Sequence, residues 1–333
     1  MPEAALPVST PQVQLMIGDS SLYGAISLEI EQVAYFAADR FTVTVALGDG
    51  LLADTSYFSA FGLQIITIGV AVSNAGYVNL LTGQIDNIRL DLLANTATLA
   101  GRDLSARLID TQTSETYANQ TASQIATAIA ARHGLTPNVT ATTTPVGQYY
   151  ELDHARSALS MNSRNGTEWN MLSALAQAES FILSVTGTTL NFGPLVAGVP
   201  ALLTPQNCIA LSLDMATTIP SSATVKSWNT RNKAVVTQTS GTATGGSTTL
   251  IRPNLTSIQA SNLAASHLSF LAHHGTILRA AIPGELALTP ASPLLLSGTN
   301  TALDQTYVID AITRSIDTRN GFIETIRAHA LAS

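Results

Sequence analysis

The sequence predicts a β-rich α+β fold in which two β regions flank a helix-containing middle, and three observations carry that prediction. Apolar and polar residues alternate in short runs over 12–100 and again over 206–333, the period of half-buried strands. Between these regions the apolar spacing changes to that of helices. The third observation is how little charge there is: Lys, Arg, Asp and Glu supply 11% of the 333 residues, aromatic residues 5%, and mean hydropathy is +0.25. That balance fits a protein that hides much of its surface against copies of itself or against neighbours. The length suggests two to four compact units rather than one core.

In the first region Val13, Leu15 and Ile17 alternate with polar positions and then meet a Gly-Asp-Ser-Ser turn. Phe41–Leu47 alternates strictly and is closed by Gly48-Asp49-Gly50. A short helix fits Ala53–Ala60, and strands are expected over Ile65–Val72, Val78–Ile88 and Arg89–Leu99. Several strands at this spacing suggest a barrel or a curled sheet.

Leu99–Asp110 marks the change of character, because its alternation runs into Gly101-Arg102-Asp103 and a helical pattern follows. Thr121 is placed to cap a helix carrying Ile125, Ala128 and Ile129 on one face, with Gly134 as its stop. Pro137–Val146 reads as a Thr-rich connection. Thr167 caps a second helix through Trp169, Leu172, Leu175 and Ala176, after which Phe181–Val185 and Thr189–Phe192 form a hairpin around Gly187.

The last region returns to strands at Cys208–Leu213, Ser222–Asn229 and Lys233–Thr239, followed by a flexible Gly/Ser/Thr loop over Ser240–Thr249. A helix is expected over Ser257–His273, then strands at Thr276–Ile282, Leu294–Ser297, Thr306–Ser315 and Phe322–Ala330. The expected division is 1–104, 105–204 and 205–333, the last with an inserted loop and helix at about 240–274. Two β-rich regions around a mixed middle hint at an ancient duplication, without an exact repeat.

The net charge of −7 argues against a surface that grips nucleic acid and is compatible with a channel through which DNA slides. A single cysteine, Cys208, excludes an internal disulfide framework and any Cys-rich metal site. Met1–Thr10 lacks the basic and apolar stretches of a signal peptide. The most apolar run, Phe58–Val72, is broken by Gln64 and glycines and is shorter than the roughly 20 residues of a spanning helix.

Catalytic and metal-binding readings find no carrier. Gly18-Asp19-Ser20 matches the nucleophile block of GDS-type esterases, which need a late Asp-x-x-His to take the serine proton, and Ile326 stands three residues before His329. A hairpin turn explains that block better. His273-His274 are adjacent, so on a helix their side chains diverge by about 100° and share an ion poorly. Asp153-His154 with Arg156 lies in a loop-like stretch without a partner signature. Neither a phosphate-binding loop nor a dinucleotide fingerprint is present. No catalytic, cofactor-binding or metal-ligating residue is assigned. The candidates for interface contacts are Arg102, Asp103, Trp169 and Trp228: the two tryptophans as core or interface anchors, and Arg102 and Asp103 either as a carbonyl donor and a turn cap at a domain junction or as members of an ion pair shared with a neighbouring subunit.

The order and spacing of five segments resemble the late-control-protein-D family, the baseplate hubs of contractile phage tails and related injection machines. Gly101-Arg102-Asp103 lies where these hubs leave the first barrel, and Ala122–Leu135 resembles the helix that follows. Glu168–Phe192 is similar to the family's helix and strand–Gly–strand unit. Val225–Val235 resembles the strand and turn that reopen the second barrel, and Leu303–Ser315 with Phe322–His329 the closing hairpin. The resemblance implies two tube-like β-barrel domains and a homotrimer with pseudo-sixfold symmetry. Such a ring would join a hexameric tail tube protein to a trimeric central spike protein, beside the baseplate wedge proteins. Tape-measure protein and DNA would pass through its lumen. The implied setting is the virion tail, assembled in the host cytoplasm without membrane insertion or cofactor, and with a separate spike protein because the sequence stops after the closing hairpin. Two other functions share the β-rich, low-charge look: a receptor-binding or adhesin module at the tail tip, and a serine-type hydrolase or carbohydrate-active β protein.

Overall fold

Alternation becomes strand through most of the first hundred residues. The structure, a computed structural model, describes residues 11–48, 54–59, 62–72, 76–113, 115–146, 148–150, 155–158, 166–195, 198–230, 232–242, 245–272 and 275–331, the side chains of 148–150 and 155–158 excepted. The first elements are β1 (Pro11–Ile17), β2 (Ser20–Leu22), β3 (Ala25–Val33), β4 (Arg40–Ala46), α1 (Thr55–Ser59), β5 (Ile65–Val72), β6 (Val78–Asp91) and β7 (Thr96–Asp103). Gly18 and Asp19 are the two-residue turn between β1 and β2, where Ile17 pairs with Ser20. The alternation has its physical basis in burial: Ala97, Leu99, Gly101 and Asp103 face inward along β7, and Phe41, Val43 and Val45 along β4. Leu15, Ile30, Ile66 and Ile68 meet Phe41, Val43, Val45, Ala97 and Leu99 in one core. Each such Val, Leu, Ile or Phe side chain, fully removed from water, contributes about 1.5–3 kcal/mol.

Gly101 has to be glycine. A Cβ there would overlap the carbonyl oxygen of Gln84 on β6 and stand 2.8 Å from the Phe41 ring. The close approach of β6 to β7 beside the register shift between Ile85 and Asn87 depends on that missing side chain.

The middle holds α2 (Ala106–Asp110), β8 (Gln112–Thr113), β9 (Tyr117–Ala118), α3 (Ala122–Arg132), β10 (Thr136–Val139), β11 (Gln148–Tyr150), β12 (Ala155–Ala158), β13 (Gly166–Thr167), α4 (Glu168–Glu179), β14 (Ile182–Thr186) and β15 (Thr189–Gly193). Thr121 caps α3 through a full capping box: its Oγ1 accepts from Gln124 N, and Gln124 Oε1 accepts from Thr121 N at 2.9 Å. Thr167 Oγ1 caps α4 from Asn170 N at 3.2 Å. Gly187, at φ +58, turns β14 into β15. Within the stretch read as a Thr-rich connection, Pro137–Val139 belong to β10, which pairs parallel with β15. The partner lies fifty residues on and all of β10 is at least partly exposed, so no local alternation marks it.

The last region carries β16 (Ala201–Leu203), a 3-10 turn at Pro205–Asn207, β17 (Ala210–Met215), β18 (Pro220–Asn229), β19 (Ala234–Gly241), β20 (Gly246–Ile251), α5 (Ser257–Ala272), β21 (Thr276–Pro283), β22 (Pro293–Leu296), β23 (Thr306–Asp317) and β24 (Gly321–Ala330). The loop expected over Ser240–Thr249 is largely strand: β19 runs to Gly241, and β20 begins at Gly246 and lies parallel beside β18. Thr248 and Thr249 are β-branched and suit an exposed strand, which outweighs the loop-like composition. β18, β19 and β20 form a separate three-stranded sheet backed by α5, so Val225–Val235 lies outside the large sheet.

The two β regions are halves of one surface. Antiparallel pairing of β3 with β23, from Val33–Ala311 to Ser27–Asp317, joins them into a 13-stranded sheet ordered β17-β21-β24-β23-β3-β4-β7-β6-β5-β1-β2, with β22 and β16 attached beside β23. Among the described residues this path is open at β2 and β17, so the β regions expected as two barrels are continuous with each other and the pairing closes no ring. One core lies in each half, and a third lies in the middle region.

Candidate functional site

The four residues singled out in the sequence have different fates. Arg102, at the end of β7, is held inside the chain. Its Nε donates to Asp86 Oδ2 at 2.6 Å, and its Nη1 and Nη2 donate to the two Asp110 oxygens at 3.1 and 2.9 Å. This fork ties β6 to α2 and fixes the angle at which the chain leaves the first β region. The bonds from Arg102 and Gln84 hold the Asp86 carboxyl below its ordinary range despite partial burial.

Asp103 is buried, and its Oδ1 accepts from both Ser105 N and Ser105 Oγ, capping the turn into α2. The Asp103 backbone N–H donates to Asp39 O at 3.0 Å, which brings a second carboxyl close. Both acids line a cleft of about 310 Å³ where β3, β6, β7, the β14–β15 hairpin and Thr289–Ala291 meet. Burial raises the Asp39 carboxyl to about 7, with the Asp103 charge adding to it. Burial likewise raises Asp103 to about 6.

Trp169 lies in the middle core, 3% exposed, and its Nε1–H donates to Phe36 O at 3.0 Å. It docks α4 onto the β3–β4 connection. The N-terminus of α4 is also pinned: Glu168 is fully buried and accepts from Arg132 and His133 at the end of α3. Trp228 is the opposite case, 52% exposed on β18.

Sequence reasoning missed the polar seam between the halves. Arg314 on β23 and Glu324 on β24 are opposite each other in register and both are buried. Arg314 also donates to Gln32 Oε1 on β3 and to the carbonyls of Leu288 and Glu285. Burial pushes Glu324 up to about 7 against the pull of Arg314. A signal was available: Glu324 occupies an inward position between Phe322 and Ile326, where an acid needs a partner.

A second cleft, about 770 Å³, opens between α5, the β3–β4 connection and β23–β24, with the His329 Nδ1–Asp310 Oδ1 pair at 2.6 Å in its wall. Cys208 Sγ donates to Thr204 O, as a small half-buried side chain. Asp49, Gly50, Asp153, His154, His273, His274 and the Arg156 side chain lie outside the described residues. Among the described residues no group of three or more His, Cys, Asp or Glu could hold a metal ion, and no helix is long and apolar enough to cross a membrane. What these side chains do chemically is hold one element against another.

No family model and no curated protein matches the sequence. The fold does match solved structures end to end. The 43 kDa tail protein of prophage MuSo2 from Shewanella oneidensis superposes with a TM-score of 0.72 at 17% identity, over 96% of this chain and 98% of that one. A tail protein from Neisseria meningitidis gives 0.74 at 14% identity, with 96% of each chain covered. This is the phage tail protein fold. An Escherichia coli component of the type VI secretion system, described as structurally similar to the T4 tail proteins gp27 and gp5, shares it at a TM-score of 0.62 and 12% identity, over 96% of this chain and 77% of that one.

Proposed function

We propose that the chain is the structural hub of a phage tail or of a related contractile injection machine. The observation that carries the reading is the β3–β23 seam: it joins two β regions of one subunit into one sheet, within a fold that matches phage tail proteins over nearly the whole chain. Two such regions per subunit, three subunits per ring, present six β units to a hexameric tube and three to a trimeric spike. The regions 1–104 and 205–333 are the proposed tube-like units, and 105–204 braces them through Trp169 and the Arg102 fork.

The work is mechanical and electrostatic. No chemical step is assigned to the chain, and the net charge of −7 suits a lumen through which tape-measure protein and DNA pass without sticking. The proposed place is the virion baseplate, between tube and spike, with wedge proteins outside. Cryo-electron microscopy of the assembled tail tests this. The expected map shows three copies on the tail axis, each spanning two of six similar positions. A peripheral fibre position would favour the adhesin reading, and a strongly basic lumen would contradict the electrostatic part.

A further inference from the structure

Charge is not spread evenly along this acidic chain. The seventy residues between Asp214 and Glu285 contain five Lys or Arg and no Asp or Glu, while the remainder carries all 22 acidic residues and ten basic ones. The acid-free stretch includes the whole three-stranded sheet and α5.

This sheet has two unlike faces. Val225, Ser227 and Asn229 turn inward, where Val225 packs on Ala260 and Ala264 of α5. The other face carries Lys226 and Trp228, with Val235 opposite Trp228 and with Thr237 and Ile251 on either side of Lys226. Trp228, Val235 and Ile251 are 52%, 64% and 74% exposed. Lys226, Lys233 and Arg252 take part in no ion pair among the described residues. An apolar centre around a tryptophan, bordered by hydroxyls and unpaired cations, has the make-up of a protein interface rather than of a solvated sheet.

We infer that this face docks on the acid-rich remainder of a second copy of the chain. Charge complementarity selects that occupant: a cationic, acid-free lobe and a strongly acidic body on one polypeptide attract each other between copies. Contact between two different patches is also the heterologous kind that closes rings, whereas like lobes would repel. The inference rests on the ring proposed above and adds which surface holds it.

Zero-length carbodiimide cross-linking of the full chain, mixing isotope-labelled and unlabelled copies, tests it. Expected are inter-copy links from Lys226 or Lys233 to carboxylates outside 215–284. K226E/W228A, altered only on the outer face, should stay folded by circular dichroism and associate at least tenfold more weakly, and wild-type association should weaken with added salt. A wild-type trimer without those links, matched by a trimeric variant, overturns this inference and leaves the ring standing. A wild type that is monomeric at every concentration overturns both. Binding of a single-stranded DNA oligonucleotide that the variant loses, with trimers unchanged, would assign the face to nucleic acid instead and overturn docking between copies.

Discussion

Arg314 Nη2 stands 2.8 Å from Glu324 Oε1, across the β23–β24 hairpin and next to the β3–β23 pairing that joins the two halves of the large sheet. Both side chains are buried, at 2% and 0% exposure, and Glu324 Oε2 also accepts from Glu285 N at 3.3 Å. Removing one partner leaves the other charge buried and uncompensated, at a cost of about 3–5 kcal/mol. Glu324→Leu alone should therefore unfold at markedly lower denaturant, while Arg314→Met/Glu324→Leu should cost less than either single change. Additive costs in denaturant titrations would show that the pair is not coupled.

Stability should rise on mild acidification. Asp39 and Asp103 titrate near 7 and 6 in the folded chain, whereas unfolded carboxyls titrate near 4. Between those values the folded state holds more protons than the unfolded one, so stability falls as pH climbs and the loss is complete above about 7. Melting at pH 5 should exceed melting at pH 8 by roughly 2–4 kcal/mol in stability. Asp39→Asn should flatten the slope, and an unchanged slope would remove the cleft carboxyls from the explanation.

Trp169→Phe keeps most of the ring volume and removes the donor to Phe36 O. A loss of about 1 kcal/mol is expected, against about 3–5 kcal/mol for Trp169→Ala, which also opens the middle core. Hydrogen exchange of the β3–β4 connection should quicken in both variants. Exchange confined to α4 would mean that the docking role is wrong.

Gly101→Ala should be costly for a residue in a strand. The added methyl meets the Gln84 carbonyl and the Phe41 ring, so the β6–β7 pairing has to open, at about 1–3 kcal/mol. Ala100→Gly, one position along, lacks that clash and serves as the comparison.

The elements legible in the sequence were those specified locally. Alternation located most strands, Thr121 and Thr167 announced their helices, and Gly187 announced its hairpin turn, since each acts on neighbours within four residues. What escaped was non-local. The pairing of β3 with β23, which makes one sheet of two β regions, depends on residues nearly three hundred positions apart. β10 was hidden because its partner is distant, and β20 because its Gly/Thr composition looks like a loop. Within the candidate site, Arg102 and Asp103 stood out at a junction, but the carboxyl that faces Asp103 comes from Asp39 on another strand. The two tryptophans looked alike in sequence, and only packing separates the buried Trp169 from the exposed Trp228.

The most direct test of a ring-forming hub is the mass of the purified chain in solution, by light scattering after size exclusion across a concentration series. A particle near three times the 34.8 kDa chain mass is expected, weakening as salt is raised. A well-folded monomer at every concentration would contradict the ring.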